Sequence, residues 1–228
     1  MIVSHEHRYI FLKVSKTAGT SVEIALSKYC GDQDIITPIS EADEKLRKAV
    51  RGRSPQNHLA PPEGHWIRRF RLGPDRRRLR YKNHMTAQSV KQEIGESIWD
   101  EYFKFCIARN PWDRVVSQYY YTHRKEPRPP LAEFLDSKPL QRLQRQGFEL
   151  YTIDGRVAVD RVCRFERLEE DLEEVRLKLG LPEKLALPRA KSSYRVDKRS
   201  YREIFNPREA DTIRATFQDE ISLLGYEF

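Results

Sequence analysis

The chain has 228 residues, 39% hydrophobic and 11% aromatic, enough for one sizeable core and, at roughly 100–200 residues per domain, a single domain over residues 1–228. No apolar run approaches the ~18–20 residues of a membrane-spanning helix. The stretch Tyr9 to Val14 is shorter than a signal-peptide core and has no small-residue cleavage site after it, which points to a cytoplasmic protein without stable membrane insertion. A net charge of +8 favours anionic partners without choosing among nucleic acid, acidic glycan, membrane surface or phosphorylated cofactor.

Tyr9-Ile10-Phe11-Leu12-Lys13-Val14 is short and rich in β-formers, and reads as a buried strand. Ser15 to Ser21 follows as a polar loop, and Val22 to Tyr29 has helical character with Gly31 as a stop. Glu41 to Val50 reads as a helix. From about residue 51 to 82 the pattern weakens, with Pro55, Pro61, Pro62 and Pro74 breaking it; this is a basic, irregular excursion. Thr86 is placed to cap a helix over Ala87 to Ile94, ended by Gly95. Tyr102 to Ala108 reads as a second buried strand, and Asn110-Pro111 as the cap and first residue of a helix running to about Tyr121. Beyond the break at Lys125 to Pro130 come two short helices, Leu131 to Ser137 and Leu140 to Gln146. Val162 to Phe165 reads as a third strand, Leu168 to Leu179 as an amphipathic helix ended by Gly180, and Asn206-Pro207 as the start of a helix to about Leu224.

Strands alternating with helices argue for an α/β fold, a central parallel sheet flanked by helices in three layers. Ligands in such folds bind beyond the C-terminal ends of the strands. The three cysteines, Cys30, Cys106 and Cys163, are odd in number and fit no metal spacing; they read as reduced core residues. No H-E-x-x-H and no calcium-loop spacing is present, so the reading requires no metal.

Two segments have the chemistry of anion sites. Lys16-Thr17-Ala18-Gly19-Thr20-Ser21 joins a strand to a helix. Ala18 and Gly19 let the backbone approach a ligand, Gly19 can take positive φ, and the helix N-terminus offers free N–H groups. Lys16, Thr20 and Ser21 add side-chain donors. The order of lysine and glycine is not that of G-x-x-x-x-G-K-[ST], and a tight turn with a good cap would look similar. The second segment follows the second strand: Arg109, then Asn110-Pro111, with Arg114 and Ser117 along the helix. Arg109 and Ser117 can reach one anion; equally, Arg109 can pair with Asp113. Two anion sites at neighbouring strand ends suggest a ligand with two separated phosphates.

Lys16 to Ser21 resembles the 5′-phosphosulfate loop of the sulfotransferases that use PAPS (3′-phosphoadenylyl sulfate). Arg109-Asn110-Pro111-Trp112-Asp113-Arg114-Val115-Val116-Ser117 resembles their 3′-phosphate motif. With Phe103-Lys104-Phe105 upstream, Tyr119 downstream and the ending Gly225-Tyr226-Glu227-Phe228, the chain is most similar to carbohydrate-type sulfotransferase family 2. Ser15 stands where that family usually has proline, and the chain starts almost at the first strand, as soluble bacterial-type members do. The resemblance implies a P-loop-NTPase-like three-layer fold. It also implies transfer of a sulfonate group from PAPS to an acceptor hydroxyl, with PAP as product. Thr17, Ala18, Gly19, Thr20 and Ser21 would bind the 5′-phosphate, Arg109 and Ser117 the 3′-phosphate, and Lys16 would stabilise the leaving oxygen. His84 would be the general base, because Asn83-His84-Met85-Thr86-Ala87 resembles the segment carrying the family's catalytic histidine and histidine titrates near neutral pH. Glu63 is a weaker candidate for the same role.

Between Lys45 and Lys82 there are 13 Lys or Arg against Glu63 and Asp75, with Trp66, Phe70 and Tyr81 interleaved and Arg76-Arg77-Arg78 densest. This segment reads as solvated surface, as a hold on an acidic glycan or other anion over the active site, or as a nucleic-acid-binding stretch, since basic and aromatic residues suit single strands. No nucleic-acid fold signature accompanies it. Lys191, Ser192, Ser193 and Arg195 form a second basic stretch. Two other functions fit the strand–loop–helix start: a P-loop nucleotide kinase, and a non-catalytic PAP-binding protein.

Overall fold

The computed structural model describes residues 1–60, 79–188, 190, 195 and 197–228. The strands are β1 (Ile2–Ser4), β2 (Tyr9–Leu12), β3 (Ile35–Ile36), β4 (Phe103–Ala108), β5 (Thr152–Ile153), β6 (Arg156–Val157) and β7 (Arg161–Arg164). Helices α1 (Gly19–Leu26) and α2 (Glu41–Ala49) precede the excursion. Between it and β4 lie α3 (Ala87–Ile94) and α4 (Glu96–Glu101). Then come α5 (Pro111–Thr122), α6 (Leu131–Leu135), α7 (Lys138–Arg145) and α8 (Phe148–Tyr151), and after β7, α9 (Leu168–Lys178), α10 (Tyr201–Ile204), α11 (Pro207–Thr216) and α12 (Gln218–Leu224).

Five strands form one sheet in the order β3-β1-β2-β4-β7. β2, β4 and β7 are parallel, with Phe11 beside Phe105 and Ile107 beside Cys163. β1 runs antiparallel to both β2 and β3, so the sheet is mixed where the sequence suggested a parallel one. At three and two residues, β1 and β3 are too short to show a period. Side-chain alternation in the strands sends Tyr9, Phe11, Phe105 and Ile107 to a core shared with α1 and α9. Ile10, Leu12 and Cys106 go to the opposite core, under α3 and α4. Burial on both faces makes three layers, as expected of strands without a polar face. All three cysteines are free and buried.

The capping residues read from sequence do cap: Thr86 accepts from Ser89 N–H, and Asn110 accepts from Trp112 and Asp113 N–H. The C-terminal helix differs from expectation. It breaks at Phe217, whose φ of −116° leaves the helical range. Phe217 is buried in a third core with Trp112 and Ile213, and the bend carries Glu220 to within 2.8 Å of the fully buried Arg114 guanidinium. Of the excursion, residues 61–78 lie outside the described residues, and with them Glu63, Trp66, Phe70 and Arg76 to Arg78. Its flanks are anchored, Gln56 pairing with Ile36 and Leu59 with Leu79.

Candidate active site

The parallel strands β2, β4 and β7 end on one side of the sheet, and a cleft of about 730 Å³ lies beyond them. The segment after β2 forms its floor. Lys16 and Ala18 both have positive φ, 65° and 61°, while Thr17 and Gly19 do not. Alternating hand along successive residues is the backbone pattern of an anion nest. For non-glycine residues that conformation is costly, on the order of 1–2 kcal/mol each, and such strain clusters at ligand sites. Gly19 therefore matters for a different reason than positive φ. A Cβ there would lie 2.9 Å from Lys13 Cγ, so glycine lets the lysine stem pass beneath the loop.

Ala18 is the N-cap of α1 and supplies no side-chain cap. The first helical bond runs from Val22 N–H to Ala18 O, and the N–H groups of Gly19, Thr20 and Ser21 meet no acceptor among the described residues. Three open donors at a helix N-terminus suit an oxyanion. The hydroxyl of Thr17 donates to Val14 O at 3.1 Å, which leaves its backbone N–H for a ligand. Ser21 Oγ accepts from Ala190 N–H at 3.3 Å and keeps its own proton. Lys16 Nζ rests 4.1 Å from the centroid of the Tyr121 ring, a cation–π contact.

Arg109, first after β4, faces the same cleft with Ser117. Its Nε and Nη2 donate to Asp113 Oδ2, at 2.8 and 2.6 Å, and its Nη1 to Lys16 O at 3.1 Å. The guanidinium lies 4.0 Å from the Phe165 ring centroid. The pairing with Asp113 is thus present, and it orients Arg109 without removing it from the cleft. Asp113 Oδ1 takes Arg195 Nη1 at 2.6 Å, so one carboxylate holds two guanidiniums.

His84 also lines the cleft. Its Nδ1 lies 2.7 Å from Lys13 O. A carbonyl only accepts, so Nδ1 carries the proton and the lone pair sits on Nε2. Burial, then the nearby Lys13 charge, push this imidazole down to about 4, so it is neutral at pH 7. Asn83 and Pro38 hold the turn from the side, the Asn83 amide donating to Pro38 O at 2.5 Å.

The lining has one further property. Among the described residues around the cleft are Lys13, Lys16, Arg109, Arg142, Arg195 and Lys198, and no Asp or Glu. Lys16 to Ser21, His84, Arg109 and Ser117, the site residues read from the sequence, all border this one cavity. Lys13, Arg142, Gln146, Phe165 and Lys198 were missed; nothing local marks them, because they come from the end of β2, from α7 and from the segments after β7. Lys191, Ser192 and Ser193 lie outside the described residues. Among the described residues no His, Cys, Asp and Glu cluster is spaced for a metal ion, and no helix is long and apolar enough to cross a membrane.

A model of the sulfotransferase family matches residues 1–227. An uncharacterised protein of Archaeoglobus fulgidus is 38% identical over 106 residues, covering 44% of this chain and 87% of that protein. A crystal structure of a sulfotransferase from Alicyclobacillus acidocaldarius aligns with a TM-score of 0.44 and 17% identity, over 97% of this chain and 96% of that one.

Proposed function

The chain belongs to the sulfotransferase family, and from that premise we propose that it transfers a sulfonate group from PAPS to an acceptor hydroxyl, with a carbohydrate as the acceptor class. The observation that carries the reading is the cleft free of described acids, with a backbone anion nest at one point and a two-guanidinium wall at another. A donor with phosphates at its 5′ and 3′ positions needs two separate anion sites within one cavity.

In this reading the open N–H groups of Gly19 to Ser21 take the 5′-phosphate, and Arg109 and Ser117 take the 3′-phosphate. The acceptor oxygen attacks sulfur as the bond from sulfur to the bridging phosphate oxygen breaks. Nε2 of His84 takes the hydroxyl proton, a task its tautomer suits. Lys16 leaves the Tyr121 ring for the bridging oxygen, where negative charge develops. The products are the sulfate ester and PAP, with the proton on His84. Among the described lining no carboxylate competes with His84 for the role of base.

The test is thermal stability with PAP, and with ATP plus magnesium for comparison. A ligand at 100 times its dissociation constant adds about 2.7 kcal/mol. Stabilisation by PAP and not by ATP with magnesium supports the reading, provided Arg109→Ala clearly reduces it. Stabilisation by ATP with magnesium alone overturns it in favour of a kinase. A protein that binds PAP but transfers nothing, and is unchanged by His84→Ala, is a non-catalytic binder.

A further inference from the structure

Beneath the cleft lies a carboxylate that the mechanism above does not use. Glu23, on α1, is fully buried. Its Oε2 takes Lys13 Nζ at 2.6 Å and the Met1 amine at 3.1 Å, while Oε1 takes Arg47 Nη2 at 3.1 Å. Thr37 Oγ1 lies 3.1 Å from the same Oε1. Desolvation offsets most of what such a cluster gains by attraction, so stability alone is a weak reason for it.

Two routes lead from this carboxylate to one side chain. Lys13, held at its ammonium by Glu23, presents the carbonyl that receives Nδ1 of His84. The Met1 amine, held by Glu23 Oε2, donates to Asn83 Oδ1 at 3.2 Å and to Thr37 Oγ1 at 2.8 Å; the single Thr37 proton has Glu23 Oε1 and Asn83 Oδ1 in reach, at 3.1 and 3.0 Å, and serves one at a time, and Asn83 precedes His84. His84 itself has φ 59°, a conformation a non-glycine residue keeps only when its surroundings impose it.

We propose that Glu23 is a positioning residue for His84: through Lys13 on one side and the Met1 amine and Thr37 with Asn83 on the other, it fixes the imidazole with Nδ1–H on the Lys13 carbonyl and Nε2 toward the cleft. The inference rests on the reading of His84 as the base, but its geometry stands separately.

The sign of a titration distinguishes positioning from charge alone. Lys13 and the Met1 amine disfavour the imidazolium, and Glu23 favours it. Removing the Glu23 charge with the ring unmoved lowers the midpoint below about 4. Releasing the ring into water raises it toward the ordinary value of about 6.5.

The experiment is ¹⁵N imidazole NMR of the PAP-bound protein, comparing wild type, Glu23→Gln and Thr37→Val, with His84→Gln to assign the signal. The expected result is a pure Nδ1–H tautomer in wild type, and in both variants a mixture of tautomers with a raised midpoint. PAP affinity should stay within about twofold, because the anion contacts are untouched. An unchanged tautomer in both variants overturns the proposal, as does a midpoint that only falls. If Glu23→Gln does not fold, Thr37→Val decides alone, since it removes one hydroxyl and no charge. In parallel, single-turnover transfer from PAPS to glycerol, as a probe hydroxyl, should fall about 10–100-fold in Glu23→Gln. Wild-type transfer by His84→Gln would defeat the base assignment while leaving the NMR outcome for Glu23 intact.

Discussion

The two proposed anion sites of the cleft are built in opposite ways. The first is backbone: Lys16 and Ala18 in left-handed conformation and three open N–H groups at the start of α1. The second is side chain: Arg109 and Arg195, brought together by Asp113 from segments far apart in the chain. A backbone site cannot be deleted by truncating a side chain, only deformed by adding one. A side-chain site can be dismantled one group at a time. The first is also local in sequence and the second is not, which decides what can be read before folding.

The proposed base, His84, sharpens this contrast most, because it belongs to neither site. His84→Gln should lower transfer by about 10²–10⁴ in single-turnover assays while PAP still stabilises the protein. Loss of PAP binding would instead place His84 among the anion ligands. Next is Arg109→Ala, which removes charged hydrogen bonds worth about 1.5–3 kcal/mol each. PAP affinity by calorimetry should fall roughly 10–100-fold, and adenosine 5′-phosphate, lacking the 3′ group, should lose far less. Equal losses for both ligands would mean that the two sites are one.

The backbone site answers to Gly19→Ala. The added methyl meets Lys13 Cγ at 2.9 Å, and crowding of this kind costs about 1–3 kcal/mol. Both the thermal midpoint and the affinity for adenosine 5′-phosphate should drop, while a PAP site centred on Arg109 survives. An undisturbed midpoint would show that Lys13 moves aside freely.

A further effect is on pH and stability. The folded-state imidazole of His84 lies near 4 because of burial and Lys13, below its unfolded value of about 6.5. In that window the unfolded chain binds the extra proton. The stabilising contribution is complete above pH 6.5 and is lost as pH falls toward 4. Thermal midpoints should decline from pH 7 to pH 5, and His84→Gln should flatten part of that slope. An identical slope would show that other groups carry it.

The parallel strands, the loop 16–21 and the caps Thr86 and Asn110 were legible because each rests on neighbours in sequence: a run of β-formers, a polar side chain three residues before an N–H. The two antiparallel strands and the break at Phe217 were not, because short pairings and a helix bend are set by what lies across the core. The same holds within the site. Lys16, His84, Arg109 and Ser117 were read from context, and all four border the one cleft. Arg195 and Lys13 acquire meaning only when Asp113 and Glu23 reach them through space. Gly19 is a subtler case: its place in the loop was legible, but its value lies in the missing Cβ and not in its dihedral freedom.

The shared carboxylate of Asp113 has a consequence for turnover. On the proposed reading, a phosphate arriving at Arg109 would not meet a free cation; it would meet a guanidinium that, beside Arg195, already leans on an acid. It must compete with that acid for the same donors, and when it departs the acid is there to reclaim them. On that reading such a gripping surface would hold its load loosely. A catalyst whose by-product kept both phosphates of its donor would turn over faster for it, since a tighter hold would lengthen the residence of the by-product and stall the next cycle.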